Sequence, residues 1–239
     1  MRDMKVPYAQ RTTDIVVIET GLEVNVKTYI LMSCSIYGIG TNPLLQLAHV
    51  PILIRLSLEA GQVAVVGDGK ATWDHVHITD VSRLYELILA KILDGVDIPN
   101  GKKGIYFVEA GHHSWLELSQ RIAEAGVTLH ALKTTALQTL SLEEATKKLG
   151  NGWALLGEIG WASKYVSSLS STLKTDVRSC PLIYGFDSSR TKGDLARELG
   201  WKPQKTRADF EAHFVDNWKA ILASTKNRRS APLGKAEMG

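Results

Sequence analysis

The chain has 239 residues, 44% of them hydrophobic and 22% charged, ordinary proportions for a soluble globular protein with enough apolar material for one large α/β domain or one and a half. Its net charge of +3 is small and spread out apart from Lys226, Arg228, Arg229 and Lys235, which argues against the concentrated basic face of a nucleic-acid groove. Cys34 and Cys180 are too few for a disulfide framework or a zinc cluster, and the longest apolar run, 44–58, is broken by Gln46, His49, Pro51, Arg55 and Ser57 and cannot span a bilayer. No secretory signal is visible at the N-terminus, so a reducing cytoplasmic setting is expected.

Residues 1–11 are polar and irregular. From Thr12 the pattern turns helical: Ile15, Val16, Ile18 and Leu22 recur at helical spacing, with Thr12, Thr13 or Asp14 as candidate caps. The run 27–32 is β-rich and nearly all apolar from Tyr29, as in a parallel strand covered on both faces. Pro43 opens a helix expected to end at Gly61. Val63–Val66 then reads as a strand, Gly67-Asp68-Gly69 as a turn, and 73–78 as another strand. Thr79 or Asp80 is the candidate cap of a helix to Leu93 whose apolar face is Val81, Leu84, Leu87, Ile88 and Ile92. Ile105–Val108 predicts a strand and 114–125 a helix, with His112-His113 in a solvated turn between them.

Residues 128–164 read as mostly helical, most clearly over 140–149. A short helix over 192–199 is ended by Gly200 and Pro203, and the last helix covers 208–222. The alternation of strands and helices specifies an α/β architecture with a parallel sheet. The stretch 165–187 is rich in Ser and Thr and lacks periodicity, and reads as an insertion. From Ser224 a disordered tail is expected.

Ser33-x-x-x-Tyr37-Gly38-x-Gly40 follows the 27–32 strand. Val66-Gly67-Asp68-Gly69 precedes Trp73-Asp74-His75-Val76-His77-Ile78-x-Asp80, and Ser189–Pro203 closes on Leu199-Gly200-Trp201-x-Pro203. In this order and spacing the segments resemble the C-terminal portion of the extended short-chain dehydrogenase/reductase family, the NAD-dependent epimerase/dehydratase type, in wording most like fungal members. The resemblance runs from about Tyr8 to Leu222. It implies a partial Rossmann-like parallel sheet over 1–110 with substrate segments interleaved, and a mostly helical substrate region over 111–223. It also implies a nicotinamide cofactor, NAD or NADP, and a small organic or sugar-derived substrate. On the same ground Ser33, Cys34, Ser35 and Tyr37 are the expected cofactor-side residues, since the family's backbone there lies over the nicotinamide. Cys34 stands where the family commonly has proline, and Trp73 where many sugar-nucleotide members carry a phosphate-binding arginine.

Two parts of the family's chemistry are missing from the 239 residues. A dinucleotide needs a three-glycine turn after the first strand, where the backbone approaches the pyrophosphate at a helix N-terminus. The pairs Gly38/Gly40 and Gly67/Gly69 lack the third glycine and read as turns. Hydride-transfer members also use a tyrosine whose pKa is lowered by a lysine one helical turn on. No tyrosine here has a lysine four residues later: Tyr8, nearest the expected catalytic place, meets Thr12. A tyrosine in a frayed terminus is the plainer account of Tyr8.

Arg55 and Arg190 are candidate partners for a substrate phosphate or carboxylate, against ordinary ion pairing. Trp73 is the third substrate-side candidate. Asp74, His75, His77 and Asp80 could suggest a metal, but hydrogen bonding at a strand-to-helix junction explains them better, so no metal is expected. The chain is therefore expected to be an oxidoreductase- or epimerase-family protein that is inactive alone. The alternative is a non-catalytic cofactor- or metabolite-sensing protein of the same fold. Loss of the first strands would expose a sheet edge and favour self-association; neither membrane nor nucleic acid is an expected partner.

Overall fold

The computed structural model describes residues 9–40, 49–141, 144–145 and 190–230. Tyr8, the 165–187 stretch and residues 231–239 lie outside them. Helix α1 (Ala9–Glu23) leads into β1 (Ile30–Ser33), and β2 (Ser35–Tyr37) follows after Cys34. Then come α2 (His49–Ala60), β3 (Ala64–Val66), β4 (Thr72–His77) and α3 (Ile78–Leu93). A 3-10 turn at Gly101–Lys103 precedes β5 (Ile105–Val108), β6 (Gly111–Ser114), α4 (Trp115–Thr128) and β7 (Gln138–Leu140). Helices α5 (Asp194–Glu198) and α6 (Arg207–Ser230) complete the order.

The strands pair as β1-β5, β2-β4-β6 and β3-β7. All contacts are parallel except β4 with β6, which is antiparallel. The expected parallel character holds, in pieces. Sheet β1-β5 aligns Ile30 with Ile105 and Ser33 with Val108. All four residues of β1 are half-buried rather than covered on both faces, because among the described residues β5 is its only partner strand. The strand also starts later than the 27–32 run: Lys27 is exposed, with its Nζ 2.8 Å from Asp97 Oδ1.

Helix α3 buries Val81, Leu84 and Ile88, the stripe that their spacing predicts, against Val76, Tyr106, Val108, Ala196 and Trp201. A second core joins Tyr37, Ile54, Leu118 and Ile122 to Phe210, Phe214 and Trp218 of α6. Complete burial of an aromatic or branched aliphatic side chain stabilises by about 1.5–3 kcal/mol. Strand β2 contributes to both, Tyr37 to the second core and the partly buried Ile36 to the first.

Several boundaries differ from expectation, each for a local reason. The cap of α3 is His77, whose Nδ1 accepts from Thr79 N at 3.1 Å, not Thr79 or Asp80. Leu140 ends a strand rather than opening a helix, because Gln138 N donates to Val63 O and β7 lies along β3. His112 and His113 sit in β6, not in a turn: Trp73 is opposite His113, and His113 is buried. Helix α6 runs through Ser224 to Ser230, with Ser224 Oγ and Thr225 Oγ1 both donating to Ile221 O, so residues 224–230 are helical where a disordered tail was expected.

Candidate functional site

The C-terminal ends of parallel strands β2 and β4 lie side by side, Tyr37 opposite His77. In α/β sheets that edge is where ligands bind. Tyr37 is buried there in a ring of imidazoles and a phenyl. His75, His77 and Phe210 meet it nearly edge-on, with ring centroids 5.4, 5.0 and 5.1 Å away, and His213 lies tilted at 4.8 Å. Burial, with the Asp209 and Asp80 charges, pushes the Tyr37 phenol up to about 12, so it is a neutral hydroxyl at physiological pH.

The histidines are held neutral by the same burial. His75 stacks on Phe210 at 3.9 Å, and its Nδ1 lies 3.0 Å from His113 Nδ1, so one nitrogen of that pair donates and the other accepts. Desolvation lowers His75 to about 4, helped by the Arg207 guanidinium. Desolvation likewise brings His213 to about 4, although a hydrogen bond to Phe210 O favours its cation. His77 is also lowered, first by burial and then by Lys205. Each neutral ring is an acceptor at one nitrogen and a donor at the other, with the charges of Asp80, Lys205, Arg207 and Asp209 close by.

Gly38 is required by this arrangement. Its φ is +97°, and a Cβ there would stand 2.4 Å from His77 Nε2. Gly38→Ala is expected to lower stability by about 2–4 kcal/mol, combining left-handed backbone strain with displacement of an imidazole pinned at Thr79. Urea unfolding checks it; an unchanged midpoint would refute the close approach.

The other sequence candidates are dispersed. Ser33 ends β1 and Ser35 begins β2, where it is buried; Cys34 Sγ donates to Val108 O at 3.1 Å, and burial raises the thiol pKa strongly. Trp73 is buried against Trp115, with ring centroids 5.2 Å apart. Arg190 pairs through Nε with Asp74 Oδ1 at 2.8 Å, and Asp74 also accepts from Thr191 N. Arg55 is half-buried on α2. Among the described residues, Tyr37 lies at the β2–β4 edge, whereas Trp73 packs on Trp115 and Arg190 pairs with Asp74. His213 and Phe210 were absent from the sequence candidates, since nothing in the local pattern of α6 ties it to β4. Among the described residues no group of three or more His, Cys, Asp or Glu is arranged to hold a metal ion.

A cavity of about 300 Å³ lies elsewhere, between α2, α4 and the β3-β7 pair. Three of its polar side chains are engaged internally: Ser57 Oγ donates to Leu53 O, Ser119 Oγ to Ala64 O, and Gln62 Nε2 to Ala136 O.

Among the described residues, the turns at Gly38 and at Gly67–Gly69 do not fit a pyrophosphate. Gly67 N donates to Leu140 O and Gly69 N to Val66 O, while Leu116 N bonds to Gly69 O. That turn is filled by its own packing, because a Cβ on Gly69 would meet Leu116 N at 2.8 Å. Gly38 is covered by His77.

Residues 5–100 match a model described as the NAD dependent epimerase/dehydratase family. The resemblance is to that family. Oxidase ucsJ of Acremonium sp is 30% identical over 129 residues, which are 50% of this chain and 37% of the oxidase. Two solved structures share the fold. The dTDP-glucose 4,6-dehydratase DesIV from Streptomyces venezuelae, with NAD and TYD bound, is 17% identical with a TM-score of 0.54 over 91% of this chain and 50% of its own. The UDP-glucose 4-epimerase of Thermotoga maritima, with UDP-glucose, is 18% identical with a TM-score of 0.53 over 90% and 53%. The chain therefore spans about half the length of these solved relatives and less of the curated one. The Rossmann-like α/β fold expected from the motifs is the fold of these epimerases and dehydratases. No described helix is long and apolar enough to cross a membrane.

Proposed function

We propose that these 239 residues form the substrate-side part of an NAD-dependent epimerase/dehydratase-type protein: they bind a small organic or sugar-derived ligand and do not turn it over alone. The observation that carries this reading is the Tyr37–His77 pairing at the C-terminal ends of two parallel strands, within the segment that matches the family. Residues 1–110 would supply the remaining Rossmann-like strands, with 111–223 the mostly helical substrate region. DesIV is solved with NAD and TYD bound, and the Thermotoga maritima epimerase with UDP-glucose. Here neither a three-glycine loop nor a tyrosine–lysine pair at helical spacing is present in the sequence.

Tyr8 is the residue proposed nearest the catalytic place, Ser33, Cys34, Ser35 and Tyr37 those nearest a nicotinamide, and Arg55, Trp73 and Arg190 the substrate-side ones. Fluorescence titration of the purified chain with NADH and NADPH tests the reading. The expected result is no saturable micromolar binding and no oxidoreductase turnover. Tight saturable binding with turnover would overturn it. Tight binding without turnover would instead select the sensing protein, a reading favoured by the missing tyrosine–lysine pair.

Half-buried β1 and the exposed Val16, Val17, Leu22 and Val24 leave apolar surface uncovered among the described residues. Self-association is the expected consequence. Sedimentation velocity should show species larger than 26.3 kDa at micromolar concentration, and a single sharp monomer would count against it.

A further inference from the structure

We propose that His77 and His213 together form a hydroxyl-recognition subsite beside Tyr37, taking one alcohol group of a polyol ligand as both donor and acceptor. The inference deepens the substrate-side reading and rests on it for the choice of ligand class.

Tautomers define the subsite. His77 Nδ1 accepts from Thr79 N at 3.1 Å, so in the neutral ring the proton sits on Nε2. His213 Nδ1 bonds to Phe210 O, a pure acceptor, so that nitrogen carries the proton and Nε2 is a bare acceptor. Among the described residues His213 Nε2 is buried and finds no hydrogen-bond partner, the residue being only 5% exposed. Both rings pack on the same phenol, His77 at 5.0 Å and His213 at 4.8 Å between centroids, and the two imidazoles sense each other's charge.

A buried acceptor without a partner is unfavourable, and native proteins rarely keep one without a use. One donor and one bare acceptor flanking a tyrosine match a hydroxyl, which both gives and receives a hydrogen bond. A carboxylate or phosphate fits worse: it cannot donate to His213 Nε2, and the bare nitrogen would repel it. A cation finds only one acceptor. Gly38 lets the loop lie directly over the His77 ring, so the subsite sits at the ligand edge of the sheet.

The test uses the whole chain with 15N-labelled histidine and glycerol as the probe. Ring spectra should show His77 protonated at Nε2 and His213 at Nδ1, and glycerol should shift both signals saturably. His77→Asn keeps a capping acceptor for Thr79 N while removing the Nε2–H donor, and should weaken the glycerol response roughly five- to tenfold. His213→Phe retains ring packing and should abolish the response, while His213→Gln, which restores an acceptor, should recover part of it. The proposal is overturned if glycerol leaves both signals unmoved in a folded chain, or if the reverse tautomers are found. It is equally overturned by a long-lived water on His213 Nε2, or by His213→Phe binding glycerol like the native chain. NADH titration reads the broader proposal separately, since dinucleotide binding does not require either imidazole nitrogen.

Discussion

Replacing Asp80 by alanine is expected to cost about 3–5 kcal/mol, the range for a buried charged hydrogen-bonding group whose partners are left behind. The Asp80 carboxylate is fully buried at the start of α3. Its Oδ1 accepts from Arg83 at 2.9 Å and from Gln204 N at 3.0 Å, and its Oδ2 from Lys205 N at 2.9 Å. Its backbone oxygen receives the Trp201 indole N–H at 2.8 Å. One residue thus ties the N-terminus of α3 to the Leu-Gly-Trp segment far along the chain, and through it to the start of α6. Alanine removes the acceptor of two backbone donors, Gln204 N and Lys205 N, and the partner of the half-exposed Arg83 guanidinium. Asparagine is expected to be nearly as damaging, because its amide turns one acceptor into a donor facing N–H groups. Urea unfolding followed by tryptophan emission measures both variants. A midpoint shift equivalent to less than about 1 kcal/mol for alanine would show that water replaces the carboxylate, against the burial seen here.

That junction also shows what the sequence could and could not reveal. The α3 stripe of Val81, Leu84 and Ile88 and the strand at Ile105–Val108 were legible because each is a local periodicity that the core then uses. The motif at 73–80 pointed to a strand running into a helix, but not to its cap, since an imidazole acceptor competes poorly with the expected Thr or Asp on preference alone. With His77 serving the helix end, the Asp80 carboxylate is used to tie down Gln204 N and Lys205 N. Strand β7 was hidden for another reason: Gln138–Leu140 has no strand-like alternation, and its pairing with β3 is decided by a partner more than one helix away. The site was half legible. Tyr37 and His77 lie in recognisable segments, whereas His213 reaches them from α6, whose helical spacing marks it as a core position and says nothing of which ring it meets. His113 likewise looked like a turn residue until pairing with β4 turned it inward.

Acid should destabilise the chain well before its carboxylates titrate. An unfolded histidine binds a proton near 6.5, but in the folded chain His75 and His213 do so only near 4. Their contribution is therefore fully present above 6.5 and is lost as the pH falls from there to about 4, because in that window the unfolded state takes up protons that the folded state refuses. Each site is expected to withdraw about 2 kcal/mol across the window, allowing for partial screening. The charges around them do not reverse the sign. His75 faces Arg207, His112 and His213, all of which disfavour its cation; for His213 desolvation outweighs the Phe210 O hydrogen bond and the weaker Asp216 attraction, and His77 adds to the lowering. Asp209 works in a different range: its carboxylate is held low by Thr206 N–H and Lys205, so its contribution is lost only under stronger acid, below its unfolded value of 3.8. Urea midpoints measured from pH 7.5 to 4.5 should fall steadily, and His213→Phe should flatten part of that slope while lowering the plateau. A midpoint that stays level down to pH 4.5 in the native chain would mean that these imidazoles charge in place, and that α6 is not held to β4 by neutral rings.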